Sequence, residues 1–202
     1  MHQDCGQLSG EEASAPIEKK PDTTGDTYEE FPEDVKDDFK GVEILKIATE
    51  LKDFGNKAFK SGDIDVGLDK YQKGLRYLNT DPEPADDDPD DLPSKLTSIR
   101  FTLHSNSALL QNKLKAYDEA KKSASNALDL ANIPAADRAK AHFRRATACE
   151  GLKDGDEALK DYEQAAKLAP GDAAITSQLT ALKKKIAAQE KKEKAAYSKF
   201  FA

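Results

Sequence analysis

A helix-pair pattern that recurs three times between about residue 48 and residue 172 constrains this chain more than any other feature. Its residues are Leu51, Gly55, Gly67 and Tyr71 in the first copy, Ala108, Ala120 and Ala127 in the second, and Ala146, Ala158, Tyr162, Ala165 and Pro170 in the third. Small residues are needed at such places because neighbouring helices cross closely, and a large side chain would hold them apart. Three matches in series therefore predict an all-α fold of stacked helix pairs, whereas a single match would have favoured a generic helical bundle.

Glycine and proline breaks give the predicted boundaries of the helices. The helices are predicted from about Val42 to Ser61, Asp63 to Leu78, Ser94 to Lys113, Tyr117 to Ala131, Ala135 to Gly151, Gly155 to Leu168 and Asp172 to Lys199, with Asp63 as the cap of the second. The copies begin at Ala48, Phe101 and Ala139, which gives spacings of 53 and 38 residues. Usual repeats of this kind are about 34 residues long, and an acidic loop accounts for most of the first excess.

These boundaries divide the chain into three parts. Residues 1–34 are predicted to be a flexible linker, because they contain three prolines, many acids and little apolar periodicity. Residues 35–171 form the repeat domain, with units at about 48–80, 101–134 and 139–172 and the acidic loop at 80–93. Residues 172–202 are predicted to form a capping helix whose first half docks and whose basic second half projects.

The distribution of charge is more informative than the net charge of -7. Residues 1–47 hold 13 acids and 5 bases, and seven further acids lie between Asp81 and Asp91. The remaining residues hold 18 acids and 26 bases, a local charge of +8. An acidic chain therefore contains a cationic body that can attract carboxylates.

Composition also excludes several classes of protein. No run approaches the roughly 18 apolar residues of a membrane span, and no signal-peptide pattern is present at the N-terminus, so a soluble cytoplasmic protein is expected. Cys5 and Cys149 show no zinc-ligand spacing, and His104 and His142 are expected to have packing or rim roles. No catalytic triad or phosphate loop can be placed. We expect no cofactor, no metal and no nucleic-acid partner.

Five polar residues on the first helices of the three pairs suggest a binding site. Lys52 and Asn56 are four apart, as are Lys140 and Arg144, so each pair lies on one helical face, and Asn106 comes from the helix between them. Cations and amides in one groove would bind a terminal α-carboxylate and an aspartate side chain through charge-assisted hydrogen bonds. The pattern favours capture of a peptide C-terminus in a preformed groove.

The repeat resembles the tetratricopeptide (TPR) repeat, and LKDFGN, HSN and KAHFR resemble the carboxylate clamp of TPR co-chaperones. The resemblance implies three repeats in a right-handed superhelical array with a capping helix. It also implies binding of the C-terminal Met-Glu-Glu-Val-Asp of heat-shock protein 90, or the related tail of heat-shock protein 70, by Lys52, Asn56, Asn106, Lys140 and Arg144. Phe59 and Lys113 fall where the family lines a secondary pocket.

The flanks narrow the resemblance to large cyclophilins of the cyclophilin 40 type. They are DCGQL at Asp4–Leu8, similar to the last strand of a cyclophilin domain, FPED at Phe31–Asp34, and the ending KKEKAAYSKFFA. This resemblance implies a peptidyl-prolyl isomerase parent whose catalytic barrel is missing from this chain. The chain itself is therefore expected not to be an enzyme.

Two segments permit a second interpretation. The basic stretch from Lys183 to Lys199 could be a calmodulin or other acidic-partner site, although a projecting capping helix is favoured. The Asp86–Asp88 run could suggest calcium, but it lacks the alternating ligands and central glycine of a calcium loop.

Overall fold

The computed structural model describes residues 24–34, 39–80 and 85–200. Within these ranges the chain forms seven α-helices and no strand, with a short 3-10 turn at Pro32–Asp34. The helices are α1 (Gly41–Lys60), α2 (Ile64–Leu78), α3 (Leu92–Lys113), α4 (Tyr117–Leu128), α5 (Ala135–Gly151), α6 (Gly155–Leu168) and α7 (Ala173–Phe200). The predicted all-α class is confirmed.

The helices pack in pairs along the chain, and the pairs stack. α1 packs on α2, α3 on α4 and α5 on α6, while the first helix of each pair also contacts the first helix of the next. The turn inside each pair has one residue with positive φ at a corresponding place, namely Gly62, Lys115 and Lys153. The shared turn geometry shows that the three copies follow one backbone plan, although only the first uses a glycine there.

The small residues lie where the helices of a pair cross. A Cβ atom on Gly55 would lie 2.5 Å from Cε1 of Tyr71 and 3.0 Å from the carbonyl oxygen of Gly67. Ala146 and Ala158 are completely buried in the third pair. The close crossing that the sequence predicted is therefore present, and in the first pair only glycine leaves room for the tyrosine ring.

Several predicted boundaries shift by a few residues. α3 begins at Leu92 rather than Ser94 and carries Pro93 in its first turn, where proline lacks only a donor that the helix does not need. α4 ends at Leu128 rather than Ala131, before a turn in which Asn132 adopts a positive φ of 58°. Asp63 occupies the N-cap position of α2 as predicted, but its side chain accepts no capping hydrogen bond.

The prediction of a flexible linker over residues 1–34 needs correction for its last part. Residues 24–34, here called the N-terminal strap, lie against α1 and α2. The Asp26 carboxylate accepts hydrogen bonds from Lys70 and Lys73 of α2 at 2.7 and 2.6 Å, and its side chain is only 1% exposed. Asp26, one of the acids that suggested a solvated linker, instead neutralises two buried lysines.

Two tyrosines make further contacts between the strap and the helices. The ring of Tyr28 meets the ring of Tyr77 edge to face, with centroids 6.2 Å apart, and its hydroxyl donates to Glu50 at 2.6 Å. The Tyr77 hydroxyl donates to the carbonyl oxygen of Glu29 at 2.9 Å. The strap thus covers the outer edge of the first helix pair, as terminal segments of repeat arrays do.

α7 covers the other end of the array with its first half only. Ile175 and Leu182 are buried against the third pair, and Leu179 and Ile186 pack beside them. From residue 187 to residue 197 every side chain is exposed. The first half of α7 therefore docks on the third pair, and residues 187–197 project from it.

Some predicted features lie outside the described residues. These are the cyclophilin-like DCGQL at Asp4–Leu8, Cys5, residues 35–38 and the 81–84 part of the acidic loop. Among the helices that are described, none is long and apolar enough to cross a membrane.

Candidate functional site

α1 carries three of the predicted site residues on successive turns. The Lys52 ammonium lies 3.2 Å from the Asp53 carboxylate. The Oδ1 atom of Asn56 accepts a hydrogen bond of 2.8 Å from the Tyr71 hydroxyl. The Phe59 ring lies 5.6 Å below the Lys113 ammonium, a cation–π contact that joins the two residues of the predicted secondary pocket.

Arg144 on α5 reaches across to α3. One of its terminal nitrogens, Nη1, donates to the Ser105 hydroxyl and lies 3.4 Å from Oδ1 of Asn106. Desolvation lowers the pKa of Arg144 from its ordinary value, while nearby Tyr71 and Asp137 oppose that shift. The guanidinium is therefore a partly desolvated cation held in place by neutral acceptors, so its charge is available to an anionic ligand.

Lys140 lies one turn before Arg144 on the same helix, but its surroundings differ. Its ammonium pairs with Asp137 at 2.9 Å, and 62% of its side chain is exposed. Exposed pairs of this kind contribute little to stability, about 0–1 kcal/mol. Lys140 can therefore exchange Asp137 for another carboxylate at small cost.

A cavity of about 410 Å³ lies between α3, α5 and the start of α7. Its wall includes three of the predicted cations, one acid and three larger apolar side chains, namely Lys113, Lys140, Arg144, Asp172, Leu109, Phe143 and Ile175. An apolar cleft with a few convergent polar groups is the usual form of a ligand site. The cavity therefore offers charge to a carboxylate and apolar surface to a neighbouring aliphatic side chain.

The four other predicted site residues do not line this cavity, and each makes a different contact. Asn56 accepts from the Tyr71 hydroxyl at 2.8 Å, whereas Oδ1 of Asn106 lies 3.4 Å from Nη1 of Arg144, a cavity residue. Phe59 contacts Lys113, a cavity residue. Lys52 makes its ion pair within α1.

Sequence reasoning missed two polar partners in this region. Tyr71 was singled out only as a packing residue, and the hydroxyl contact depends on how α2 crosses α1. Asn112 donates from Nδ2 to the carbonyl oxygen of Arg144 at 2.8 Å, and its buried Oδ1 has no hydrogen-bond donor within the described part of the chain. The sequence feature that could have indicated Asn112 is its position on α3, one turn after the small residue Ala108.

Ionisable side chains outside the predicted site have shifted pKa values or buried partners in the helical interior. Burial lowers the pKa of His104 to about 4 and raises the pKa of the Cys149 thiol to about 11. His142 Nδ1 lies 2.8 Å from the Asp161 carboxylate. No group of three or more His, Cys, Asp or Glu side chains that could hold a metal ion is present among residues 24–34, 39–80 and 85–200.

Comparisons with known proteins agree with this fold. The family described as the tetratricopeptide repeat matches residues 139–172, which is the third predicted unit. The peptidyl-prolyl cis-trans isomerase D of Cryptococcus neoformans var. neoformans serotype D is 39% identical over 183 residues, which are 88% of this chain and 49% of that protein. The chain spans about half the length of the curated relatives it matches.

Two solved structures are similar to the chain. The C-terminal TPR-containing domain of an FK506-binding protein from Plasmodium falciparum has a TM-score of 0.66 at 25% identity, covering 76% of this chain and 97% of that one. The first TPR domain of Spaghetti, bound to the HSP90 peptide SRMEEVD, has a TM-score of 0.56 at 29% identity, covering 71% of this chain and 95% of that one. The resemblance to the TPR region of cyclophilin 40-type proteins is confirmed.

Proposed function

We propose that this chain, a tetratricopeptide repeat domain of the cyclophilin 40 type, is a co-chaperone module that binds the C-terminal Met-Glu-Glu-Val-Asp tail of heat-shock protein 90. The related tail of heat-shock protein 70 is a second ligand of the same chemistry. The observation that carries the proposal is the position of the Arg144 guanidinium, which lies in the cavity wall and also beside Asn106. Support comes from Spaghetti, whose similar domain is bound to an HSP90 peptide with this ending.

The chemistry of the groove suits a peptide that ends in aspartate. Such a terminus carries two carboxylates within a few ångströms, and charge-assisted hydrogen bonds to them are about twice as strong as neutral ones. In the proposed complex Arg144 and Lys140 hold one carboxylate, while the amides of Asn56 and Asn106, with Lys52, hold the other and the main chain. The valine side chain has the apolar floor of Leu109, Phe143 and Ile175 available to it.

The proposal assigns binding, not catalysis, to this chain. The relative named as a peptidyl-prolyl isomerase is matched over about half its length, and the described part of this chain is made of helix pairs and a terminal helix. Isomerisation belongs to the remainder of such a parent, and the module works in the cytoplasm, where the chaperone tails are found. A prolyl isomerisation assay tests this division, because acceleration by the chain above the uncatalysed rate contradicts it.

Peptide titration tests the clamp. A peptide ending in Met-Glu-Glu-Val-Asp with a free carboxylate should bind saturably in isothermal calorimetry, and C-terminal amidation should abolish binding. Arg144→Ala should weaken binding by about 1.5–3 kcal/mol, the usual worth of hydrogen bonds to charged groups. The matched control is Arg138→Ala, because Arg138 lies on the same helix but bonds the carbonyl oxygen of Leu128.

Two outcomes contradict the clamp. One is equal binding of the amidated and free peptides, and the other is an equal loss in the two arginine variants. Competition between the heat-shock protein 90 and heat-shock protein 70 tails then ranks the two ligands.

A further inference from the structure

We infer that Tyr71 is a positioning residue of the clamp, because its buried hydroxyl donates to Oδ1 of Asn56 and fixes which way the Asn56 amide faces. The inference rests on the proposed function. It adds a residue from a second helix of a pair to a site otherwise built from α1, α3 and α5.

Tyr71 is held where its hydroxyl cannot move far. The side chain is 2% exposed and its ring lies directly over Gly55, within the distance at which any Cβ would clash. Gly67 lies one turn before it on α2 and keeps the two helices close. The ring therefore passes through the crossing of α1 and α2, and packing alone fixes the position of its oxygen.

The direction of the bond follows from what each group is able to donate. The Tyr71 hydroxyl has one proton, and Oδ1 of Asn56 accepts it at 2.8 Å. On α3, Asn106 presents Oδ1 to Nη1 of Arg144 at 3.4 Å, because a guanidinium donates but never accepts. The amide oxygens of both clamp asparagines therefore face partners within the protein.

The Tyr71 bond leaves the Asn56 amide nitrogen as a donor. With Oδ1 of Asn56 occupied, both protons on Nδ2 remain for other acceptors, which is the orientation that a carboxylate or a peptide carbonyl requires. An asparagine free to turn over would present its oxygen to the ligand carboxylate for part of the time. Fixing the amide beforehand reduces the ordering cost of binding.

The third repeat contains a natural control. Tyr162 lies four residues after Ala158, as Tyr71 lies four after Gly67, and it is equally buried at 1% exposure. Its hydroxyl donates to Glu150 at 3.0 Å and lies 3.3 Å from the Thr147 hydroxyl. Tyr162 thus has the same place in its repeat and a similar polar contact, but no asparagine of the clamp as a partner.

The experiment is a double-mutant cycle read by binding of the free-carboxylate Met-Glu-Glu-Val-Asp peptide. Tyr71→Phe should weaken binding roughly threefold to tenfold, the worth of one net hydrogen bond, and Tyr162→Phe should leave the Kd unchanged. In the Asn56→Ala background, Tyr71→Phe should cause no further loss, because the group it positions is already gone. Thermal unfolding of both phenylalanine variants shows whether each remains folded.

A second measurement needs no binding data. In the unliganded wild-type chain, ¹⁵N spectra should show one sharp pair of Asn56 side-chain amide signals, which broaden in Tyr71→Phe and stay sharp in Tyr162→Phe. Unchanged Asn56 signals in Tyr71→Phe overturn the inference.

The outcomes separate the inference from the proposed function. If the wild-type chain fails to bind the free-carboxylate peptide, the proposed function is wrong. If it binds, but Tyr71→Phe and Tyr162→Phe behave alike, or Tyr71→Phe costs as much in the Asn56→Ala background as alone, the positioning role is wrong while the clamp stands.

Discussion

The first and third helix pairs each bury one carboxylate between two cationic or basic side chains, but they obtain it differently. Asp161 lies within α6 of the third pair and accepts from Arg145 at 2.7 and 2.8 Å, with His142 at 2.8 Å. Asp26 lies in the N-terminal strap, 44 and 47 residues before Lys70 and Lys73. Asp161 is therefore part of the repeat in which it is buried, whereas Asp26 comes to the first repeat from a separate segment of the chain.

The same physical terms act on both carboxylates. Burial by itself raises the pKa of Asp161, but hydrogen bonds from Arg145 and His142 outweigh it and the pKa falls below 3.8. For Asp26 the corresponding hydrogen bonds come from Lys70 and Lys73, with the same result for the pKa. The difference therefore lies in the chain. Removing Asp161 takes away an acceptor that Arg145 and His142 share within a helix pair, whereas removing Asp26 lets the strap lift and water reach the lysines.

The largest expected effect is that of Asp161→Ala. Asp161→Ala removes an acceptor that Arg145 and His142 share, and hydrogen bonds to charged groups are worth about 1.5–3 kcal/mol each, so the total cost is about 3–5 kcal/mol. The free energy of unfolding from urea denaturation, followed by circular dichroism, should fall by that amount. Glu163→Ala is the control, since Glu163 lies on the same helix but forms an exposed pair with Lys183. Similar losses in the two variants contradict the comparison.

Asp26→Ala should have a smaller effect, about 1.5–3 kcal/mol, the worth of one hydrogen bond to a charged group. The strap can detach without opening the α1–α2 pair, so hydration of the lysines offsets part of the loss. Hydrogen exchange should accelerate at residues 24–34 and stay unchanged in α5 and α6. If Asp26→Ala costs as much as Asp161→Ala, the strap is an integral part of the first repeat.

The smallest expected effect on stability comes from protonation of His104 in the middle helix pair. In mild acid it distinguishes the middle pair from the first and third pairs, whose buried carboxylates keep their charge. Burial, with help from Arg100, lowers its pKa to about 4, whereas an unfolded histidine has a pKa of about 6.5. The unfolded state therefore binds the proton first, so stability is complete above about pH 6.5 and declines as the pH falls toward 4. At pH 6 the loss should be less than about 1 kcal/mol.

Denaturation curves at pH 8 and pH 6 test this expectation against His104→Gln, which should show a smaller difference. Neither buried carboxylate changes its charge in this range, because, against the raising effect of burial, hydrogen bonds from cationic side chains lower the pKa of each from its ordinary acidic value. An undiminished pH difference in His104→Gln assigns the effect to another group.

The sequence predicted the elements of the array well because the signals are local. Small residues such as Gly55 and Ala158 marked the crossings, and glycine and proline marked the breaks. The strap was missed for the opposite reason. It has no apolar periodicity, and the lysines that neutralise Asp26 lie more than 40 residues away, so its acids were interpreted as a solvated linker.

The candidate site shows the same limit at the level of side chains. Spacing of four residues places Lys140 and Arg144 on one face of a helix, and a cavity wall does include both. The contacts of Arg144 with Ser105 and of Tyr71 with Asn56 depend on the distance between helices, which no spacing within one helix specifies. The sequence thus predicts which side chains are candidates, while their couplings follow from packing.

The half-docked state of α7 has a mechanical consequence. Beyond Ile186 the helix continues to Phe200, and at 1.5 Å per residue this segment is about 20 Å long. An isolated helix of that length is marginal in water, so its helicity decays toward the tip by fraying and does not share the cooperative unfolding of the array. The first half of α7 is therefore as rigid as the third pair that it packs against, whereas the last residues of the helix bend independently of any ligand in the groove.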